Sequence, residues 1–352
     1  MPNLTPVSFQ SLGKRGKSLL LAFPIVLFLA SCAGPSLDSG AGRTQQNALQ
    51  QLVSNQDRLY RVAAPLMVNN AELCKDNARN LLGFTAKNKY SYSGELAGAA
   101  EYMLELGEQL QVVGVLSGGG AAKAGLREGD RLVSAEGQAI PSGPNAEREA
   151  AALLAPMVRD RTNVSLTVAR GNGQTTLDIP LTFACAFSIE VGNSDSVNAY
   201  SDGRNIMVTR GLLNVARSDD ELAYVLAREL AHSTLRHASR LRTNVAMGAV
   251  ISNLRRVNPD PNALRDAYSR IRPYPADLDT AADALALYML ARAGYDIDGA
   301  PYFWERFANQ YPKSDSSSYT TLHPSTPQRL AVIRKTITEI HAKEKARKPL
   351  LP

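Results

Sequence analysis

From Ser218 to Arg240 the chain reads SDDELAYVLARELAHSTLRHASR. This run predicts a single amphipathic helix. Asp219, Asp220 and Glu221 crowd its first turn, where carboxylates suit the positive end of the helix dipole. Leu222, Val225, Leu226, Leu230 and Leu235 recur at helical spacing and form an apolar stripe. Such a stripe has to be covered, so the helix belongs inside a packed domain. Arg228, Glu229 and His232 sit in its middle, and these polar groups are equipped for chemistry.

Two histidines at i and i+4 on one helix face, with a glutamate after the first, hold zinc and activate water. Here the pattern is R-E-L-A-H, with Arg228 in the place of the first histidine. The flanks carry more information. Asn198-Ala199-Tyr200, Gly203, the run Ile206-Met-Val-Thr-Arg-Gly-Leu-Leu213 and Asp220-Glu221-Leu222-Ala223 precede it. Asp279-Thr-Ala-Ala-Asp283, Ala291 to Asp296, and His323-Pro-Ser-Thr-Pro327 with Arg329 follow it. Together these segments resemble the HtpX-like and CAAX-prenyl-protease-like zinc metallopeptidases, from about Asn198 to Ile340.

The resemblance implies an α+β fold. It would comprise a mainly helical gluzincin-type metallopeptidase domain with a small β-sheet. It also assigns roles. His232 and Asp279 fall on zinc-ligand positions, Glu229 on the general-base position and Asp283 on the position that orients a ligand histidine. Asp279 stands where the family has Glu, one methylene shorter. Arg228 replaces a ligand with a guanidinium, which has no lone pair to offer. His323 is the one plausible substitute imidazole. His237 and His341 read as structural or surface groups.

The length of 352 residues allows two domains. Residues 1–31 read as a lipoprotein signal peptide: a basic start, then the apolar run Leu19 to Ala30, too short for a comfortable membrane span. Leu29-Ala30-Ser31-Cys32 resembles a bacterial lipobox, which makes Cys32 the lipidation site. A plain secretory signal with Cys32 incidental is the alternative. Lipidation implies a bacterial cell-envelope protein, lipid-anchored and periplasm-facing. Ala33 after the cysteine points to the outer membrane. Residues 32–44 read as a tether, 45–94 as the N-terminal part of the peptidase-like domain, 184–345 as its main part and 346–352 as a tail. Export implies an oxidising compartment, so Cys74 and Cys185 are disulfide candidates, with two separate buried thiols as the alternative.

Between the cysteines, residues 95–183 resemble a PDZ domain. The strand Val112 to Val115, then Gly120 to Leu126, Gly129-Asp130-Arg131-Leu132 and Glu136-Gly137 carry the likeness. Glu147 to Met157 reads as its second helix, Val164, Leu166 and Val168 as a strand, and Gly171-Asn172-Gly173 as a hairpin turn. The carboxylate-binding loop falls near Leu104 to Glu108, where two glutamates would repel a peptide carboxylate. The module reads equally as a peptide-docking unit working by strand addition or as scaffolding.

The net charge of +6 is modest, and no basic stripe interleaved with aromatics appears, so nucleic acid is not an expected partner. A purely structural lipoprotein is one reading, and two functional readings stand beside it. One is a non-catalytic, peptide- or protein-binding pseudo-peptidase, with Arg228 replacing zinc. Its partners would be envelope proteins or unfolded, extended peptides. The other is an active zinc metalloendopeptidase in envelope quality control, with His323 or water completing the coordination.

Overall fold

The computed structural model describes residues 40–92, 94–256, 258–311 and 327–352. The fold is α+β. A long helix, Gly40–Asn69, runs into a short turn ending at Cys74. Leu59, Val62, Ala63 and Leu66 keep an i, i+3, i+4, i+7 spacing, and this stripe joins the main core.

The chain then leaves for an inserted unit and returns from it through one two-stranded ladder. Ala78–Leu81 pairs antiparallel with Thr182–Cys185, Ala78 opposite Cys185 and Leu81 opposite Thr182. Cys74 and Cys185 are disulfide-bonded beside this ladder, with their Cα atoms 5.6 Å apart.

The inserted unit is PDZ-like. Its antiparallel sheet runs in the order Phe84–Lys87, Gln111–Val115, Arg131–Ala135, Asn163–Arg170, Gly173–Pro180, with the short Gln138–Ala139 hydrogen-bonded to Arg131–Ala135. Val164, Leu166 and Val168 alternate into its core, as their period of two requires. Gly171, with φ 57°, turns the chain between the last two strands. The second helix is Ala146–Asp160.

The inserted unit departs from the sequence expectation at two places. The sheet begins at Phe84, upstream of the expected boundary at residue 95. Residues 104–108 do not lead into an edge strand: Leu106 is buried with Leu49, Leu96, Ala99 and Ala100 against the first helix. The residues that do lead into the edge strand are Leu82 and Gly83, the latter with φ 79°.

After Cys185 a second, small sheet forms. Asn205–Thr209 is its middle strand, parallel to Ser188–Gly192 and antiparallel to Ala199–Ser201. Thr209 caps the next helix, Arg210–Val215, by accepting from the Leu212 amide. Gly211 follows because a Cβ there would overlap the Asp195 carbonyl. Ser218 caps the helix Asp219–Thr234 by accepting from the Glu221 amide.

The expected single helix to Arg240 breaks. Arg236 takes a left-handed conformation (φ 57°), and a separate turn of helix, His237–Arg240, begins after it. Residues five apart on one continuous helix diverge by about 140°. The break removes that divergence and brings His237 back against His232. Helices Asn244–Leu254 and Pro261–Ser269 then pack on each other and on the small sheet through Tyr200, Met207, Met247, Leu254 and Ile271. Ala276–Ala293 lies against Asp219–Thr234, and Pro327–Lys345 against Ala276–Ala293. Phe303, Trp304 and Phe307 are buried, while Tyr302 is 71% exposed.

Candidate functional site

The helix Asp219–Thr234 is buried on nearly every side from Leu222 onward. Its polar residues therefore find their partners inside the protein. Arg228 is 1% exposed. Its Nη2 donates to Asp279 Oδ1 at 2.6 Å. Its Nε lies 3.3 Å from Asp283 Oδ1, and its Nη1 lies 3.7 Å from Glu229 Oε1. Asp279 and Asp283 are one turn apart on the facing helix, so both carboxylates project toward the same guanidinium.

A second arginine completes the cluster. Arg329, on Pro327–Lys345, holds Asp283 in a two-pronged contact, Nε to Oδ2 at 2.6 Å and Nη2 to Oδ1 at 2.8 Å. Both guanidiniums lie against Trp304, at 4.9 Å for Arg329 and 5.9 Å for Arg228. The sequence resemblance includes Arg329 without giving it a role here. The signal for Arg329 was present: it sits four residues before Ile333, on the stripe that continues through Ile337 and Ile340. A charged residue on a core-facing stripe needs a buried partner.

Two guanidiniums face three carboxylates, one negative charge too many for a buried cluster. Glu229 absorbs the difference. It is fully buried, its carboxylate oxygens have no hydrogen-bond partner among the described residues, and burial pushes its carboxyl up to about 7. Burial also holds the Asp279 carboxyl above the usual aspartate range, against the pull of Arg228. Burial works against charge on Arg228, but Asp279, Asp283 and Glu229 outweigh it and keep the guanidinium more firmly protonated than usual.

His232 is 1% exposed and stacks on Tyr274 with ring centres 4.2 Å apart. Its Nε2 lies 3.7 Å from Asp279 Oδ1, and its Nδ1 contacts His237 Nδ1 at 2.9 Å, one ring donating and the other accepting. Burial lowers His237 to about 4, so that ring is neutral at physiological pH. No periodicity in the sequence marks Tyr274. His341 lies at the surface between Asp298 and Glu344. His323 and Cys32 lie outside the described residues.

A zinc ion at this place would need lone pairs from residue 228, His232 and Asp279. Arg228 offers only N–H donors, and its Nη2 already occupies Asp279 Oδ1. Among the described residues no three His, Cys, Asp or Glu side chains converge to hold a metal. The donor set present does not fit zinc, and the cationic place is filled by a guanidinium. Space is equally restricted. A cavity of about 10 Å³ lies between Arg228, Asp283, Tyr224 and Trp304, roughly the room one water needs. The strand Asn205–Thr209 is paired on both sides, and the outer strand Ala199–Ser201 is wholly buried beside Asn244–Leu254.

The profile of peptidase family M48 matches residues 175–337. The chain is 25% identical over 146 residues to mitochondrial metalloendopeptidase OMA1 of Schizosaccharomyces pombe, covering 40% of this chain and 43% of that one. It is 24% identical over 164 residues to the beta-barrel assembly-enhancing protease of Escherichia coli, covering 42% of this chain and 34% of that one. The chain spans less than half the length of the curated relatives it matches. Among solved structures, the HtrA3 PDZ domain bound to a phage-derived ligand is similar at 17% identity and a TM-score of 0.22, covering 30% of this chain and 86% of that one.

Proposed function

We propose that this chain, matched over residues 175–337 to peptidase family M48, is a non-catalytic member of that family that binds protein chains in a bacterial envelope. The observation that carries the reading is the Arg228–Asp279 contact at 2.6 Å, where the family's metal chemistry would be. A guanidinium neutralises the old ligand carboxylate, and Glu229 loses the polarised water it would act on. What is kept is the fold around the helix. The signal-like start and Cys32 support a lipid anchor facing the periplasm. The name of the Escherichia coli relative, a beta-barrel assembly-enhancing protease, supports envelope proteins as partners.

Binding belongs to the PDZ-like unit. Phe84–Lys87 is an edge strand of its sheet, and Leu82, Phe84 and Ala86, like Leu153 and Leu154 of the second helix, are half-buried against the unit's core. An extended peptide would add to that edge through backbone hydrogen bonds and set apolar side chains against those leucines.

Metal analysis of the full chain, purified without chelators, tests the reading. The expected result is zinc far below one equivalent, with no peptide-bond hydrolysis on unfolded protein substrates. Stoichiometric, tightly held zinc would overturn it in favour of an active metalloendopeptidase.

A further inference from the structure

Residues 235–275 contain eight arginines, no lysine, two aspartates and no glutamate, a formal +6. The whole chain carries +6, so its other residues together sum to zero. The excess sits on consecutive, mutually packed elements: the single turn His237–Arg240 and the helices Asn244–Leu254 and Pro261–Ser269. All eight arginines are exposed.

Three of them are neutralised, Arg236 by Asp76, Arg255 by Glu190 and Arg270 by Asp266. Arg240, Arg242 and Arg256 have no carboxylate partner among the described residues. Val245, three residues past Arg242, is 79% exposed. The aromatic rings of the segment are withdrawn: Tyr268 is half-buried against Tyr200, and Tyr274 is buried against His232.

We propose that this arginine-rich surface docks on an anionic phospholipid membrane. Arg240, Arg242 and Arg256 would contact lipid phosphates, and Val245 would enter the headgroup layer. The guanidinium fork matches phosphate oxygens in pairs, whereas lysine is a point charge. A cluster of this size is drawn to an anionic leaflet within about one screening length. An exposed aliphatic side chain among the arginines suits a lipid interface. The lack of exposed rings leaves no stacking platform for single-stranded nucleic acid. Arg240 lies three residues past His237, which contacts His232.

The test is vesicle co-sedimentation of the full chain, with Cys32→Ser so that no acyl chain contributes. Phosphatidylglycerol-containing vesicles are compared with pure phosphatidylcholine. Binding is expected only to the anionic vesicles and is expected to weaken as salt rises. The triple variant R240Q/R242Q/R256Q should lose partitioning on the order of tenfold or more. The variant R131Q/R148Q/R159Q has the same charge change in the PDZ-like unit and should retain it. Val245→Ser should weaken binding at unchanged charge, and thermal melts report whether each variant folds. Equal loss in both triple variants would reduce the effect to net charge and overturn the proposal. So would equal binding to phosphatidylcholine, or displacement from vesicles by duplex DNA at matched phosphate.

Discussion

Arg228 on one helix donates to Asp279 on the next at 2.6 Å, with both side chains almost fully withdrawn from water. The pair joins the two helices that would share a metal ion in an active relative. Charge on this contact cannot be removed from one side alone.

Arg228→Ala should therefore destabilise the fold by about 3–5 kcal/mol, because it strands Asp279 and leaves Asp283 with Arg329 alone. Replacing Arg228, Glu229 and Asp279 together by apolar residues of similar volume should cost far less than the single changes suggest, since the three are coupled. Urea unfolding of the single and triple variants decides this. A single variant that melts like the parent would show the contact to be energetically idle.

Restoring the family's donor set should restore metal binding. Arg228→His with Asp279→Glu supplies an imidazole and the missing methylene, and the pair is expected to bind zinc more tightly than Arg228→His alone. Isothermal titration measures both. Identical, negligible affinities in the parent and both variants would mean that something other than Arg228 closes the site to metal.

Glu229 makes stability depend on pH with a definite sign. Its carboxyl titrates near 4.5 unfolded and at about 7 folded. Between those values the folded state keeps a proton that the unfolded state has lost, so this group's contribution falls as pH rises. Glu229→Gln removes the penalty. The variant should exceed the parent by roughly 3 kcal/mol above pH 7, and the gap should close toward pH 4. A constant difference across the range would count against a buried, titrating Glu229. His237 has the opposite sign: lowered to about 4, it costs stability as pH falls below its unfolded value.

The Cys74–Cys185 bridge closes a loop with a sequence separation of 111. In the chain-entropy picture such a bridge contributes about 4–5 kcal/mol by restricting the unfolded chain. Reduction, or Cys74→Ala with Cys185→Ala, should lower the melting temperature and leave the secondary structure intact. Two thiols titrating in the denatured, unreduced protein, besides any from Cys32, would rule the bridge out.

The sequence made some of this legible and hid the rest for physical reasons. Apolar residues at helical spacing made the helix Asp219–Thr234 legible, although the packed protein buries it on nearly every side and not along one stripe alone. Charge chemistry at Arg228 marked a guanidinium in the place of zinc, and the structure sets it on Asp279. The break at Arg236 was not readable, since Arg rarely adopts a left-handed backbone and nothing local marks the place. Tyr274 reaches His232 from a segment 42 positions away, and only the packed fold brings them together. The first strand of the PDZ-like unit was missed because Phe84–Lys87 is short and half-buried, and its pairing partner, Gln111–Val115, lies beyond an intervening helix.

The ladder that carries the chain into the inserted unit and out again also makes that unit separable. Leu81 and Thr182 are direct register partners on antiparallel strands, the geometry that a two-residue Asn-Gly turn spans. Everything from residue 82 to 181 is thus topologically a hairpin loop grown to the size of a domain. Its removal would leave the strands it interrupts in register, at the expense of uncovering Leu49 on the first helix. Duplication, exchange or loss of the unit needs no rerouting of the remaining chain, and the disulfide holds the splice point wherever the rest of the unit goes.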